Sequence, residues 1–292
     1  MSPSRLTVGS YNLEQGRRGG WHRLPELVAA HDVDVMLLQE ASRPARLPEQ
    51  WDCHPSPDDP DRWRISIPPY YQAANGELRP TQRRYASAIV ATGARPVEWR
   101  EPMPLQETFD GGFACSHPGQ FAVGVMALEE GIKLTLVSLY GLWDRMLDSG
   151  SLYPDATLHR AISDLAVVFQ EVDAGYVLVG GDLNVYSYTD GSTWADRAVG
   201  VLDRLRDYGL EICGPFRPAG ARRLDRCRCP DTDCRCEVTF LYQANPANRP
   251  HQLDFFLATP ALRERLVACW ADPDPEWYRH SDHRAIFARF DI

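Results

Sequence analysis

Acidic and amide side chains at the ends of short apolar runs constrain the fold of this 292-residue chain more than any other feature. Such groups are costly to bury unless they are paired or bind a metal ion. They are scattered over the whole sequence, so a fold that gathers the ends of the runs would assemble one polar site. The four groups are Tyr11-Asn12, Gln39-Glu40, Gly181-Asp182-Leu183-Asn184 and His280-Ser281-Asp282-His283-Arg284.

The apolar runs predict a layered fold with few helices. The uninterrupted run 35–39 is typical of a strand covered on both faces. Two packed sheets with helices outside would explain why so many runs are apolar throughout, so we expect an α/β or α+β sandwich in one domain, 1–292. The predicted strands are 6–11, 35–39, 86–91, 121–128, 133–140, 176–179, 252–258 and 285–290, and the predicted helices are 21–31, 156–172, 192–208 and a short one opening at Pro260.

A long segment, 41–85, is rich in proline and aromatic residues and is predicted to be a loop region. It contains Trp51, Trp63, Tyr70 and Tyr71. A long connection of this kind in a compact domain is often a binding loop or a lid. Its aromatic rings are suited to stacking on unpaired bases.

Charge and hydropathy exclude several classes of protein. The net charge of −9 argues against tight nonspecific binding to duplex nucleic acid, which usually requires a basic face, although an acidic total permits a local basic groove. No apolar run approaches the roughly 20 residues that a membrane-spanning helix needs. Residues 1–5 lead directly into a predicted strand without the apolar core of a signal peptide, so we expect a cytoplasmic protein with no membrane span.

The acidic and amide groups have the chemistry of a magnesium site. Mg²⁺ prefers hard oxygen ligands, which Glu40 and Asp282 offer as carboxylates and Asn12 as a neutral amide. Asp182 is placed to orient or deprotonate a water molecule, and Asn184 to bind a phosphate oxygen or that water.

The histidine of the last motif completes this set. His283 is a donor or cation suited to neutralising charge on phosphorus in a transition state. Asp254 would hold the His283 ring in one tautomer. Each acidic or amide residue alone also has a structural explanation, such as capping a turn.

The order of these motifs along the chain resembles the endonuclease/exonuclease/phosphatase superfamily, also called DNase I-like. The resemblance implies a four-layered αββα sandwich and phosphoester hydrolysis that depends on Mg²⁺ or Mn²⁺. It makes Glu40 the main metal ligand, with Asn12 and Asp282 beside it. It also makes Asp182 the residue that activates water, Asn184 the phosphate ligand, and His283 with Asp254 the dyad.

Tyr140 occupies a position at which this superfamily carries either histidine or tyrosine, at the end of the strand that precedes the G-D-x-N motif. The tyrosine form resembles the abasic-site endonuclease branch, in which Pro-Asn typically follows. Here Gly141-Leu142 follows instead, which places that branch in doubt. Tyr140 is expected to donate to a phosphate oxygen or the leaving group, and the alternative is a packed tyrosine with a local partner.

The Cys/Arg-rich loop, 222–236, lies outside the motifs of the superfamily. Three states are open for its thiols: a tetrahedral zinc site, disulfides or free thiols. The two C-x-C pairs are more closely spaced than the common C-x-x-C ligand pair. The arginines make the loop a candidate phosphate-binding surface, with a solvated charged loop as the alternative. The thiols are Cys227, Cys229, Cys234 and Cys236, and the arginines are Arg222, Arg223, Arg226, Arg228 and Arg235.

Three functions follow from these features. The first is a metal-dependent nuclease acting on DNA or RNA, favoured by Tyr140, the arginine-rich loop and the aromatic segment 41–85. The second is a phosphatase or phosphodiesterase acting on a small molecule or lipid headgroup, favoured by the net negative charge. The third is a binding module with a decayed site, which the complete set of motif residues argues against.

Overall fold

Two six-stranded mixed sheets form the centre of the described part of the protein in a computed structural model. The structure describes residues 4–72, 78–93, 95–104, 113–128, 131–143, 154–170, 175–189, 191–225 and 227–292, without the side chains of 66–72, 78–82, 103–104 and 194. The helices are α1 (Gly20–His31), α2 (Pro154–Asp164), α3 (Ala166–Phe169), α4 (Thr193–Asp207) and α5 (Pro260–Arg263). Short 3₁₀ turns lie at Glu14–Gly16, Pro60–Arg62, Tyr242–Ala244 and Trp277–Arg279.

The strands follow one another along the chain between these helices. They are β1 (Arg5–Asn12), β2 (Val35–Ala41), β3 (Asp52–His54), β4 (Ile65–Gln72), β5 (Leu78–Arg83), β6 (Ala86–Ala91), β7 (Val97–Arg100), β8 (Pro102–Pro104), β9 (Phe113–Cys115), β10 (Phe121–Ala127), β11 (Lys133–Leu139), β12 (Tyr176–Asp182), β13 (Glu211–Gly214), β14 (Phe240–Leu241), β15 (Pro250–His251), β16 (Asp254–Ala258), β17 (Leu266–Ala271) and β18 (Ile286–Asp291).

Each large sheet has one parallel pair of strands at its centre. The first sheet has the order β17-β18-β1-β2-β6-β3, and β1 is parallel to β2. The second sheet has the order β13-β16-β12-β11-β10-β7, and β11 is parallel to β12. The other neighbours in both sheets are antiparallel. The carboxyl ends of the parallel strands carry the polar groups that the sequence singles out.

Alternate residues of the central strands enter different hydrophobic layers. In β2, Val35 and Leu37 pack between the two sheets, whereas Met36 and Leu38 pack beneath α1. All four side chains are fully buried, and each contributes about 1.5–3 kcal/mol of burial free energy. This burial on both faces explains the uninterrupted apolar runs, because a sheet with one solvent-exposed face would show alternating polar residues.

Helices cover the outer faces of both sheets. Leu24 of α1 packs with the outer side chains of the first sheet. Leu158 of α2 and Val201 of α4 pack against Val177 and Val179 of β12 on the outer face of the second sheet. The result is the four-layered αββα sandwich expected from the sequence.

A buried hydrogen-bond network joins the two sheets at the end where the polar groups collect. Gln39 of β2 donates through Nε2 to Ser138 Oγ of β11 at 3.0 Å, and Ser138 Oγ donates to the carbonyl of Leu38 at 2.8 Å. Ser10 of β1 lies 3.3 Å from Gln39 Oε1. Buried polar groups with satisfied partners specify one arrangement, so this network fixes how the sheet ends face each other.

The segment 41–85 differs from the predicted loop region because it contains β3, β4 and β5. Strand β3 extends the first sheet by pairing with β6, and β4 and β5 form a separate two-stranded ribbon. Pro68-Pro69 lies within β4, where the register of the ribbon is irregular. Proline lacks an N–H and is tolerated only in such edge or bulged strands, so it obscured the strand pattern. The side chains of Tyr70 and Tyr71 lie outside the described residues.

The remaining sequence-predicted elements occur with small shifts at their ends. The helix predicted at 156–172 begins at Pro154 and is divided at Leu165 into α2 and α3. Positions 171 and 172 of this prediction lie outside the described residues. Ser192 is the N-cap of α4, and its hydroxyl accepts a hydrogen bond from the Ala195 N–H. Over the described ranges, no helix has both the length and the apolar character needed to cross a membrane.

Candidate active site

Asn12 and Glu40 meet because β1 and β2 are parallel neighbours. Asn12 is in register with Gln39, so Glu40 lies one residue beyond the pair at the same edge of the sheet. The Asn12 side chain is fully buried and donates through Nδ2 to Glu40 Oε1 at 3.3 Å and to Asp182 Oδ2 at 2.9 Å. Asn12 therefore links carboxylates that belong to different sheets.

The amide oxygen of Asn12 faces the backbone of Glu14 rather than the carboxylates. Asn12 Oδ1 accepts a 2.8 Å hydrogen bond from the backbone N–H of Glu14. In this arrangement Asn12 positions Glu40 and Asp182 through its NH₂ group. This contact differs from the metal-facing oxygen expected from the sequence, because the left-handed turn at Glu14 brings a backbone donor to that oxygen.

Asp182 and Asp254 lie directly opposite each other in the antiparallel pair of β12 and β16. His283 precedes β18 and binds both of them. Its Nδ1 lies 2.9 Å from Asp254 Oδ2, and its Nε2 lies 3.5 Å from Asp182 Oδ2. Asp254 thus holds the ring as expected for a carboxylate that orients a histidine.

Hydrogen bonds from neighbouring elements fix the position of the C-terminal motif. Ser281 Oγ donates to the carbonyl of Asn12 at 2.7 Å and accepts from the N–H of His283. Thr239 Oγ1 accepts from the N–H of Asp254. The Phe240 ring lies 4.8 Å from the His283 ring, which closes one face of the imidazole.

Glu40 accepts hydrogen bonds from two further side chains besides Asn12, and it has an unusual backbone conformation. Tyr140 donates through its hydroxyl to Glu40 Oε1 at 2.9 Å, and Gln15 donates through Nε2 to Glu40 Oε2 at 3.1 Å. Glu40 has φ of 46°, in the left-handed region that non-glycine residues rarely adopt. Backbone strain of this kind costs about 1–3 kcal/mol and concentrates at functional sites.

Asn184 also has a left-handed backbone, with φ of 51°. Its N–H donates to Asp182 Oδ1, and its Nδ2 donates both to Asp182 Oδ2 and to the carbonyl of Gly141. A Cβ at Gly141 would lie 2.1 Å from the carbonyl oxygen of Leu183, so only glycine permits this approach. The G-D-x-N motif and the strand of Tyr140 are therefore in contact.

The buried charges of the site are mutually dependent. Burial raises the pKa of Asp182 to about 8. The charges of Asp254 and Glu40 also raise this pKa, whereas the charge of His283 and the hydrogen bond from Asn12 lower it. Burial acts to lower the pKa of His283, but the carboxylates of Asp254 and Asp182 outweigh it and raise that pKa well above the ordinary value. The two carboxylates therefore favour the protonated form of the His283 imidazole.

Oxygen donors of the kind that a hard divalent cation takes line the cavity. Glu14, Glu40 and Asp282 line the same cavity, and burial together with the neighbouring carboxylates raises the pKa values of Glu14 and Asp282. Arg18 Nε pairs with Glu14 Oε2 at 2.9 Å, and a bound Mg²⁺ or Mn²⁺ would balance the remaining negative charge. Asp182, Asp254 and His283 are also close enough to share an ion, but amide donors and the imidazole already occupy their facing atoms.

A cavity of about 670 Å³ opens onto these residues. Asn184 and His283 form part of its wall, whereas Asp182 is completely buried in contact with both. Arg17 and Arg18 provide positive charge at the rim. The remaining lining is Trp143, Tyr186, Phe240, Tyr242, Gln243, His251 and Leu253.

The cysteine loop is separate from this cavity. The structure brings the sulfur atoms of Cys227, Cys234 and Cys236 within 4.8 Å of one another, and Cys229 contacts Cys236. All four are free thiols in the structure. Arg226 lies outside the described residues.

A family model described as "Endonuclease/Exonuclease/phosphatase family" matches residues 9–283. The chain belongs to the endonuclease/exonuclease/phosphatase family. The match includes every motif that carried the resemblance in the sequence. No curated protein matches this family member.

Solved structures with the same fold cover nearly all of this endonuclease/exonuclease/phosphatase family member. An AP endonuclease from Archaeoglobus fulgidus is 17% identical with a TM-score of 0.59, and the match covers 98% of this chain and 100% of that one. The APE2 catalytic domain of Xenopus laevis is 15% identical with a TM-score of 0.64, covering 98% and 92%. A 3′ phosphatase NExo from Neisseria, bound to a product DNA hairpin, is 16% identical with a TM-score of 0.57, covering 98% and 100%.

The sequence analysis missed several residues that shape the site of this family member. Glu14 and Gln15 follow Asn12 in a 3₁₀ turn with positive φ, which directs Glu14 to the cavity and Gln15 to Glu40. The spacing Asn12-x-Glu14 was the available signal for an additional acid. Thr239 and Phe240 have no comparable signal, because only the tertiary structure brings their segment against His283.

Proposed function

We propose that the protein is a divalent-metal-dependent phosphodiester hydrolase acting on nucleic acid. The observation that carries the proposal is one chain of contacts. Hydrogen bonds join Glu40 to Asn12 and Asn12 to Asp182, an ion pair joins Asp182 to His283, and a hydrogen bond joins His283 to Asp254. This chain combines carboxylates for a cation with a charged imidazole beside one cavity. That combination suits hydrolysis of a phosphoester, in which negative charge increases on the phosphoryl oxygens.

Glu40, Asp282 and Glu14 are the residues that would hold Mg²⁺ or Mn²⁺. The bound cation would supply Lewis-acid polarisation of a phosphoryl oxygen and charge stabilisation for the leaving oxygen. Tyr140 and Gln15 keep the Glu40 carboxylate in place by donating to its two different oxygens. In this proposal Tyr140 acts through Glu40 rather than through direct donation to the phosphate.

The remaining residues would direct the attack of water on phosphorus. In this proposal a phosphoryl oxygen takes over the Asn184 Nδ2 hydrogen bond that Asp182 accepts, and the freed Asp182 oxygen orients the water and accepts its proton. The His283 imidazolium, held by Asp254, stabilises the charge of the five-coordinate phosphorus. The new P–O bond forms to the water oxygen as the ester P–O bond to the leaving alcohol breaks.

The walls of the cavity favour a nucleic acid as the substrate. Tyr186 stacks on Tyr188 with ring centres 5.4 Å apart, and on His251 at 5.2 Å. Such a series of rings beside Arg17 and Arg18 offers stacking for bases and charge for phosphates. Similar structures include an AP endonuclease and a 3′ phosphatase bound to a product DNA hairpin, which supports the same substrate class.

A phosphoester of a small molecule or lipid headgroup is the second candidate. The net charge of −9 favours it, because a polyanionic polymer is repelled by an acidic surface beyond the cavity. Cytoplasmic localisation, expected from the sequence, stays a prediction with either substrate.

One assay separates these functions. Protein treated with EDTA is supplied with Mg²⁺ or Mn²⁺ and tested on single-stranded DNA, duplex DNA, duplex DNA with an abasic site, RNA, sugar and inositol phosphates, and lipid phosphates. Metal-dependent cleavage of polymers supports the proposal. Turnover of the small esters alone supports the second candidate function instead. No turnover of any substrate contradicts both. Asp182→Asn, purified in parallel, controls for contaminating nucleases.

A further inference from the structure

The Cys/Arg-rich loop, 222–236, carries a second cluster of metal-ligating side chains that the catalytic arrangement does not use. Its four cysteines form two C-x-C pairs within ten residues, Cys227 with Cys229 and Cys234 with Cys236. The Sγ atoms of Cys227 and Cys234 are 3.7 Å apart. Cys229 and Cys234 are buried, although the loop lies at the surface.

The sulfur separation fits a shared tetrahedral metal. Two thiolates on one Zn²⁺, each about 2.3 Å from the ion, are separated by roughly 3.8 Å across a tetrahedron edge. A disulfide would require a distance of about 2.05 Å. The 3.7 Å between Cys227 and Cys234 corresponds to the tetrahedron edge, and Cys236 lies in the same group. Cys229 contacts Cys236 but lies outside this group, so it would move closer to supply the fourth ligand.

Backbone donors already point at the sulfur atoms. The N–H of Asp231 donates to Cys229, and the N–H of Cys236 donates to Cys234, so each receives a bond from the residue two positions later. The turn between the pairs is closed by Cys234 N–H to the Asp231 carbonyl at 3.3 Å and by Asp233 N–H to Asp231 Oδ1 at 2.9 Å.

A charged side chain supports the same arrangement. Arg223 donates to the carbonyl oxygens of Cys227 and Cys229, which holds the first C-x-C pair in a bent conformation. Its guanidinium also places a positive charge beside Cys234. Four thiolates in ten residues repel one another strongly unless a cation lies between them.

We propose that Cys227, Cys229, Cys234 and Cys236 bind one Zn²⁺ in a closed, structural site. Four thiolates fill the tetrahedral coordination of zinc and leave no position for water or substrate. The site therefore differs in chemistry from the all-oxygen donor set at Glu40.

The position of the loop gives this zinc site a consequence for the active site. Cys236 pairs with Phe216 in a β-bridge, and the next residue, Glu237, donates through its N–H to Gln252 Oε1 at 3.0 Å. The segment then continues to Thr239 and Phe240, which contact Asp254 and His283. A metal at the cysteines would hold one end of the segment that closes over the catalytic imidazole.

The test is the zinc content of the full chain purified without a metal-binding tag. We expect about one Zn²⁺ per chain by elemental analysis in the wild type, and loss of that zinc in Cys234→Ser. Cys269→Ala is the matched control, because Cys269 lies outside the loop, and it keeps the zinc. Asp182→Asn also keeps it, which excludes binding at the catalytic carboxylates.

A second measurement uses the wild-type protein, so its outcome does not depend on whether a cysteine variant folds. Wild-type protein depleted of zinc is titrated with Co²⁺, and tetrahedral thiolate ligation gives intense visible absorption that Zn²⁺ abolishes. Absence of zinc together with a colourless cobalt form overturns the proposal. A disulfide, detected as thiols that resist alkylation without reductant, overturns it as well, and so does zinc that persists in Cys234→Ser.

Discussion

The hydroxyl of Tyr140 donates a 2.9 Å hydrogen bond to Glu40 Oε1, and this bond crosses from the second sheet to the first. Tyr140 follows β11 and is almost completely buried, whereas Glu40 lies in β2 at the cavity. Burial, followed by the negative charge of Glu40, raises the pKa of Tyr140, so the hydroxyl remains a donor at all working pH values. The pair ties the proposed metal ligand to the opposite sheet.

We expect Tyr140→Phe to raise the Mg²⁺ concentration needed for half-maximal activity by roughly 10–100-fold, the usual cost of losing a residue that orients a metal ligand. Glu40→Gln, which removes the charge itself, should raise it further. The measurement is activity against Mg²⁺ after EDTA treatment. Tyr176→Phe is the control, since Tyr176 is a buried tyrosine of the core between the sheets. An unchanged titration for both site variants would contradict the assignment of Glu40.

Asp182→Asn and His283→Ala are each expected to lower kcat by at least about 100-fold, the scale for losing a positioned proton acceptor or charge-stabilising group. Circular dichroism and the unfolding temperature establish that the variants fold. His280→Ala is the matched control, because His280 lies in the same motif but is not among the residues that line the cavity. Turnover equal to that of the wild type in either site variant would refute the proposed roles.

Tyr186→Ala is expected to weaken binding of single-stranded nucleic acid by roughly 5–150-fold, which corresponds to the 1–3 kcal/mol of one stacked base. Tyr186→Phe keeps the ring and should bind like the wild type. Fluorescence anisotropy with a labelled oligonucleotide measures the Kd, and Asp182→Asn as the background prevents cleavage. Equal loss with both substitutions would indicate that the hydroxyl, rather than stacking, binds the ligand.

The surroundings of Asp272, which lies outside the proposed active site, predict that the stability of the fold depends on pH. Burial alone would raise the pKa of Asp272, but the contact with His31, the hydrogen bond from the Asp274 N–H and the charges of His31 and Arg23 lower it below its ordinary value. A carboxyl with a depressed pKa stabilises the fold above its unfolded pKa, about 4, and loses that contribution as the pH falls through the folded value.

We therefore expect Asp272→Asn to lower Tm by about 2–6 °C at pH 7, the effect of roughly 1–2 kcal/mol in a protein of this size. The difference from the wild type should shrink below pH of about 4. Asp203→Asn is the control, because the Asp203–Arg206 pair is exposed and contributes little. A Tm difference that stays constant on acidification would show that the charge of Asp272 is not the cause.

The sequence predicted the parts of the protein whose signals are local. Uninterrupted apolar runs indicated strands such as β2 and β12, and polar residues after them indicated Asn12, Glu40 and Asp182 as neighbours in space. These predictions succeed because a strand covered on both faces must be apolar throughout, so any acid at its end stands out. The same local logic fails for β4, where consecutive prolines hide the strand.

Only the tertiary structure decided how the chosen side chains are oriented. The left-handed turn after Asn12 determines that its oxygen faces Glu14 while its NH₂ group joins Glu40 and Asp182. Packing of one sheet on the other determines that Tyr140 reaches Glu40. These contacts join atoms from distant parts of the chain, and composition and spacing specify which residues are polar but not which of their atoms meet.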